Sequence, residues 1–487
     1  MTKLKELFSD TLVYGISSVV ARFIGYLLVP LHTGVFSEDQ YGIISLIFAA
    51  IALFNVVFTM GMESAYIRYA KDRDKAKDIF KTVQLFLLVT SGVLAFIIWG
   101  AEPVVAPIIG LEPGDPILWI MLGILFFDTL AVVPFAELRL VRRSVLFAAL
   151  KTGNVIVNLG LNFYLILGLD YGIEAVFISN LVASLLTALA IWVFTIPMFM
   201  GSWNTALLKK ALLFGLPFIP AGFGHAINEL VDRFFLKAMD QSTIDALYGA
   251  DYSSDDIVGI YSACYKLAVF MLLIVQMFRM AWQPFFMRQS EEESAPHTFS
   301  QTFTLFNAAA ASVFLIVALF AEQIVSIKVP ILDFYLVDQK FWEGLTIVPI
   351  LLLAYWFQGW YINFSAGIFI SESTKRLPQI TLIGAGITII ANLIMIPFFG
   401  MMGSALATLA SYAVMALLIY YYSTNAFEVP YKLVRGFAVM GISVGLLYLK
   451  PSILSIGLSE LVASFLLLLA GLLSIGFITY TAVFSDE

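Results

Sequence analysis

Residues 41–60 read YGIISLIFAAIALFNVVFTM, without one charged side chain. A helix rises about 1.5 Å per residue, so roughly 20 residues cover the ~30 Å hydrocarbon core of a bilayer. Comparable runs recur along the whole chain. Of 487 residues, 61% are hydrophobic and 13% charged, with a mean hydropathy of +0.93. Soluble domains are nearer half apolar and a quarter charged. No globular core uses this much apolar surface, so lipid must solvate part of it. Hydropathy predicts fourteen spans, at about 11–33, 42–67, 79–100, 117–140, 146–168, 173–199, 211–238, 257–287, 299–326, 344–370, 378–398, 401–425, 433–450 and 457–484. They are numbered 1 to 14 below, and the expected fold class is an all-α membrane protein of about 14 transmembrane helices.

Charge orients these spans. With the N-terminus cytoplasmic, the inner turns collect Lys3 and Lys5, then the run from Arg68 to Lys81, then Arg139, Arg142, Arg143 and Lys151. Lys209, Lys210, Arg279, Arg288, Lys375, Arg376, Lys432 and Arg435 follow. The outer turns hold only Lys237, Lys328, Lys340 and Lys450. This asymmetry obeys the positive-inside rule and predicts a multi-pass protein with both termini cytoplasmic. The first apolar run is too long for the core of a cleavable signal and is expected to remain as span 1. Residues 327–343 are the longest outer connection, where a short interfacial helix is expected. A net charge of −7 argues against a nucleic-acid partner. The single cysteine, Cys264, excludes an internal disulfide and a CxxC site, and the three scattered histidines argue against a metal.

The two halves resemble each other. Leu12-Val13-Tyr14-Gly15 aligns with Leu212-Leu213-Phe214-Gly215, and Tyr41-Gly42-Ile43 with Val258-Gly259-Ile260. Asn162 and Gly172 to Ala175 align with Asn392 and Gly403 to Ala405. Spans 1–6 therefore read as duplicated in spans 7–12, both copies starting on the cytoplasmic side. Such a parallel repeat predicts a substrate path at the interface between two lobes. The divisions are 1–200, 201–427, and 428–487 for two additional C-terminal spans.

A charge at mid-bilayer costs about 2.5–3.5 kcal/mol on insertion scales, so each one needs a reason. Arg22 shares a polar stripe with Tyr14 and Ser18 at i, i+4, i+8. It either lines a water-filled cavity or pairs with a carboxylate on a neighbouring helix. Span 7 carries His225, Asn228, Glu229, Asp232 and Arg233, with Gly215, Pro217, Pro220, Gly222 and Gly224 predicting a kinked helix. The readings are a hinge beside the substrate path, or a packing histidine and a boundary Asp-Arg pair. Lys266 in span 8 either lines a cavity or snorkels to the outer surface. Asp128 is a mid-membrane carboxylate suited to proton or sodium coupling, or to an ion pair. Glu63 and Glu137 read as boundary or pairing groups near inner helix ends. Asn154, Asn158 and Asn162 read as interhelical hydrogen-bonding groups.

Walker A, HExxH, GxSxG and dinucleotide-binding patterns are absent from the sequence, and no large polar loop carries catalytic acids. The chain is read as a transporter, not an enzyme. Several local patterns then converge. Gly61-Met62-Glu63-Ser64-Ala65-Tyr66-Ile67-Arg68-Tyr69, Gly215-Leu216-Pro217 with Asp232-Arg233-Phe234, Val258-Gly259-Ile260-Tyr261-Ser262-Ala263, Trp282-Gln283-Pro284-Phe285 and Ser37-Glu38-Asp39-Gln40-Tyr41-Gly42 appear in order. As a set they resemble the oligosaccharide flippase branch of the multidrug/oligosaccharidyl-lipid/polysaccharide (MOP) exporter superfamily.

The resemblance implies two six-helix lobes around a central cavity, working by alternating access. It also implies outward movement of a polyprenyl-diphosphate-linked oligosaccharide, such as an O-antigen or lipopolysaccharide unit. The resemblance implies Arg22, Arg233 and Lys266 as the residues that hold the diphosphate; from the polar faces of the spans, His225 and Asn228 join them as substrate-binding candidates, and Asp128, Glu229 and Asp232 are the ion-coupling ones. No cofactor is expected beyond a proton or sodium gradient. Expected partners are the lipid-linked glycan, membrane lipids, a polysaccharide polymerase and glycosyltransferases. The competing readings are a lipid II-type flippase, a cation-coupled multidrug exporter, and a non-transporting scaffold of a polysaccharide assembly complex.

Overall fold

The computed structural model describes residues 26–330 and 332–484, with side chains to residue 481. Eleven helices among the described residues are long and apolar enough to cross a membrane. The bent pair Thr205–Gly215 and Phe218–Lys237 adds a twelfth. The helix Arg376–Ala426 has 51 residues and is broken at Gly400, whose φ of 54° and ψ of −127° no helix contains. At about 1.5 Å per residue it is twice too long for one bilayer, so it serves as spans 11 and 12. Span 1 falls mostly outside the described residues, which contain its last turns, Leu28–Val35. Thirteen of the fourteen expected crossings therefore lie among the described residues.

By contacts the chain forms two units. The first comprises residues 1–241 and 251–259, the second 242–250 and 260–487. The repeat places its boundary at residue 200, whereas contacts join span 7 to the first unit. One backbone approach explains the difference. Span 2 breaks at Met60 and Gly61, both left-handed at φ 47° and 65°. A Cβ on Gly61 would strike the backbone of Gly215, so span 7 begins directly against this break and then packs along span 2. The predicted kink of span 7 is a 40° bend between its two helices, at Leu216-Pro217, where proline removes a backbone donor.

In the second unit span 10 packs along spans 11 and 12, while spans 13 and 14 pack on span 9. Lys450 joins these last helices to span 9. Its ammonium donates to Glu460 at 2.7 Å and to the Leu319 carbonyl at 2.9 Å. The expected outer helix at 327–343 is a two-stranded ribbon, Lys328–Val329 against Phe334–Tyr335, followed by a 3-10 helix, Gln339–Ile347. Strands of two residues leave no periodicity to read.

An amide organises the aromatic core of this unit. Asn307 Oδ1 accepts from the indole N–H of Trp356 at 2.9 Å and of Trp360 at 2.8 Å, and all three side chains are buried. Replacing Asn307 with Leu strands two buried donors. The expected loss of stability is about 2–5 kcal/mol, read as an earlier unfolding transition in mixed micelles. An unchanged transition would show that the indoles find another acceptor.

Candidate functional site

Span 7 was expected to carry the richest polar face. Asn228, Asp232 and Arg233 are buried, Glu229 is half-buried and His225 is exposed. The Arg233 guanidinium donates to the Asp232 carboxylate at 2.8 Å and to the Glu229 carbonyl at 3.0 Å. Asp232 and Arg233 are therefore joined to each other, whatever else they meet. One turn later, Lys237 grips both carboxylate oxygens of Asp255 at 2.7 Å. Lys266, half-buried, belongs to the second unit, beside Tyr265, whose hydroxyl meets that of Tyr355 at 2.6 Å. Arg22, with Tyr14 and Ser18, lies outside the described residues.

Where Lys237 meets Asp255, span 2 crosses the start of span 8. A Cβ on Gly42 would fall into the Asp255 carbonyl oxygen, and one on Gly259 into the Glu38 carbonyl oxygen. Only glycine permits this approach. Gly42 and Gly259 are the equivalent glycines of the two repeat copies, so the copies touch through matched positions. Ser37 starts span 2 here with a capping box closed by Gln40.

The other end of span 2 is stitched to span 4. Glu137 is buried and accepts from the Tyr66 hydroxyl at 2.6 Å and from both terminal nitrogens of Arg73, at 3.1 and 2.6 Å. That bidentate bond holds the Arg73 guanidinium above its ordinary range. Arg139 forms an ion pair with Glu63. Both acids are thus pairing groups, as their positions near helix ends imply.

A third polar feature follows one face of span 5, from the exposed Lys151 to the buried Asn162. The Ser184 hydroxyl and the Lys151 ammonium lie within electrostatic reach of the Asp128 carboxylate. That ammonium also lies 4.3 Å over the Phe135 ring. Asn154 donates to Thr187 at 2.9 Å. Asn162 donates to Asn158 at 2.6 Å and meets the buried His32 ring at 2.9 Å. Lys151, Asn154, Asn158 and Asn162 follow at helical spacing on one face of span 5. The sequence places Lys151 among the inner charges, and the structure has it exposed, two turns into the helix Ser144–Phe163. No cluster of His, Cys, Asp or Glu able to hold a metal occurs among the described residues.

Three solved structures share this architecture. The lipid II flippase MurJ, inward closed, matches with a TM-score of 0.69 and 15% identity, covering 96% of this chain and 99% of that one. An inward-facing multidrug resistance MATE family transporter of the MOP superfamily gives 0.59 and 15%, over 82% and 97%. A MOP superfamily transporter from Pyrococcus furiosus gives 0.55 and 14%, over 86% and 94%. No curated protein matches the chain by sequence. The fold and its polar interior define a multi-pass membrane protein of MOP-superfamily architecture. Residues 7–290 match the profile of polysaccharide biosynthesis proteins, and the chain belongs to that family.

The glycine crossing yields a direct test. Leu46, fully buried one turn from Gly42, should resist a membrane-impermeant maleimide when changed to cysteine. In a Gly42→Leu background the helices cannot meet, and the same cysteine should react. Protection that survives Gly42→Leu at normal membrane levels would show that the crossing does not close this end.

Proposed function

We propose that the protein flips a polyprenyl-diphosphate-linked oligosaccharide from the cytoplasmic to the outer face of the membrane by alternating access. The observation that carries this is the Gly42/Gly259 crossing. Matched helices of two repeat copies meet there backbone to backbone, beside one partly exposed ion pair. Such a contact separates without unfolding either helix. Membership of the polysaccharide biosynthesis family supports the glycan as cargo. A scaffold has no need for buried polar pairs such as Asn162 and His32 inside its bundle, and the chemistry on view is that of binding groups rather than a catalytic set. The charge asymmetry supports cytoplasmic termini, which puts Ser37 and the crossing outside. A lipid II cargo is the second reading, favoured by the match to MurJ over 96% of this chain, spans 13 and 14 included.

The diphosphate needs cationic, hydrogen-bonding partners on its way. Arg22, Lys266 and His225 are proposed for that role, with Asn228 and Arg233 shaping the span 7 side. Asp128 is the proposed coupling carboxylate, its counter-charge Lys151; Glu229 and Asp232 are secondary candidates. The polymerase and glycosyltransferases acting on the same glycan are the proposed protein partners.

Complementation of strains lacking either an O-antigen or a lipid II flippase, read beside membrane blots, tests cargo. Rescue of the first alone supports the glycan reading, of the second alone the lipid II reading, and of neither refutes both. In the rescued strain Arg22→Lys should retain partial activity and Arg22→Ala should lose it at normal membrane level. Full rescue by Arg22→Ala would remove Arg22 from the mechanism.

Coupling is tested separately. Asp128→Asn should abolish dependence of transport on the proton or sodium gradient while the protein still inserts. Lys151→Met should perturb the same dependence, since it removes the charge facing Asp128. Unchanged gradient dependence in both variants would leave the pair a structural role only.

A further inference from the structure

Span 2, the short helix Glu102–Ile108 and span 7 enclose a half-open cavity of about 400 Å³ in the first unit. All ten side chains that line it among the described residues are apolar. Leu53, Phe54 and Val57 form one wall, Ile108 the rim, and Phe223 and Phe234 the opposite wall. The wall on span 2 belongs to the middle of a charge-free helix, at the depth of hydrocarbon. An all-apolar cavity offers water no partners and stays dry, whereas a hydrocarbon chain loses nothing by entering it. The rim helix has seven residues and exposes Val104 and Ile108 by 66% and 55%, so lipid reaches the opening.

The head of the cavity is charged. Phe234 lies one turn before Lys237, whose ammonium holds Asp255 at 2.7 Å. Gly110, just past the rim helix, also faces the Asp255 carboxylate. Its φ of 78° is one glycine adopts freely. A phosphate arriving at this point competes with Asp255 for Lys237. The apolar walls and the cation at their end match a lipid whose single chain continues from a phosphate.

We propose that this cavity holds a stretch of the isoprenoid chain of the lipid-linked substrate, with its diphosphate at Lys237, beside the Gly42/Gly259 crossing. This rests on the flippase reading above. The glycan must cross a polar interior, while its carrier chain stays in hydrocarbon. A lateral apolar slot next to the crossing lets both remain in their own solvent during one movement.

The test uses the full chain in phosphatidylglycerol nanodiscs and a long-chain polyprenyl diphosphate bearing a diazirine on the chain. Adducts should map to peptides containing residues 50–57 or 223–234. Val57→Trp or Ile108→Trp fills the space of at least two methylenes and should cut labelling about tenfold, in protein that elutes as the parent does. Lys237→Gln should weaken labelling by the diphosphate probe but not by the corresponding prenyl alcohol. Equal labelling by diazirine phosphatidylglycerol, or its competition with the probe, would make this a general lipid site and overturn the proposal. So would adducts that map elsewhere and ignore both tryptophans. A protein that rescues a flippase-deficient strain yet labels elsewhere refutes the cavity alone. One that rescues no strain refutes the flippase reading, whatever is labelled.

Discussion

Hydrocarbon offers no partner for a hydrogen bond, and the rest of this structure follows from that constraint. Every backbone amide in a span must be satisfied within its own helix, so the architecture is helical. Every polar side chain that enters must bring its partner. Asn307 serves two indoles, Glu137 serves a phenol and a guanidinium, and Asn162 joins Asn158 to His32. None of these groups is spread over the lipid-facing surface, which carries side chains such as Phe96, Ile390, Phe398 and Phe477.

The same constraint makes glycine valuable. With little hydrophobic driving force between helices in lipid, close packing and weak backbone contacts hold helices together. Gly42 against Gly259 and Gly61 against Gly215 are such approaches. They fasten span 2 at both of its ends to helices of the second repeat copy. Gly400 does the opposite work, breaking one long helix into two crossings. The Tyr248 hydroxyl accepts the Met401 N–H freed at that break, at 2.7 Å.

Helix positions were legible because twenty apolar residues in a row leave one interpretation. The kink of span 7 was legible from Pro217 and Pro220, and the paired state of Glu63 and Glu137 from their places near helix ends. Partnerships across helices were not. Nothing in the chain links Asp128 to Ser184 or Asn162 to His32, because periodicity reports which residues share a face and not which face it meets. Contacts joined span 7 to the first unit through Gly61 and Gly215, whose proximity depends on a left-handed break that hydropathy does not register.

The pairing on span 7 has an electrical consequence. Moving one unit charge through the membrane field is worth about 2.3 kcal/mol per 100 mV. Arg233 is paired with Asp232, and Lys237 with Asp255, and each couple is neutral. If a couple stays together, it can shift through the field almost without electrical work. The membrane voltage then has little grip on this end of span 7, and voltage can bias the cycle only through charges that move without their counter-ion.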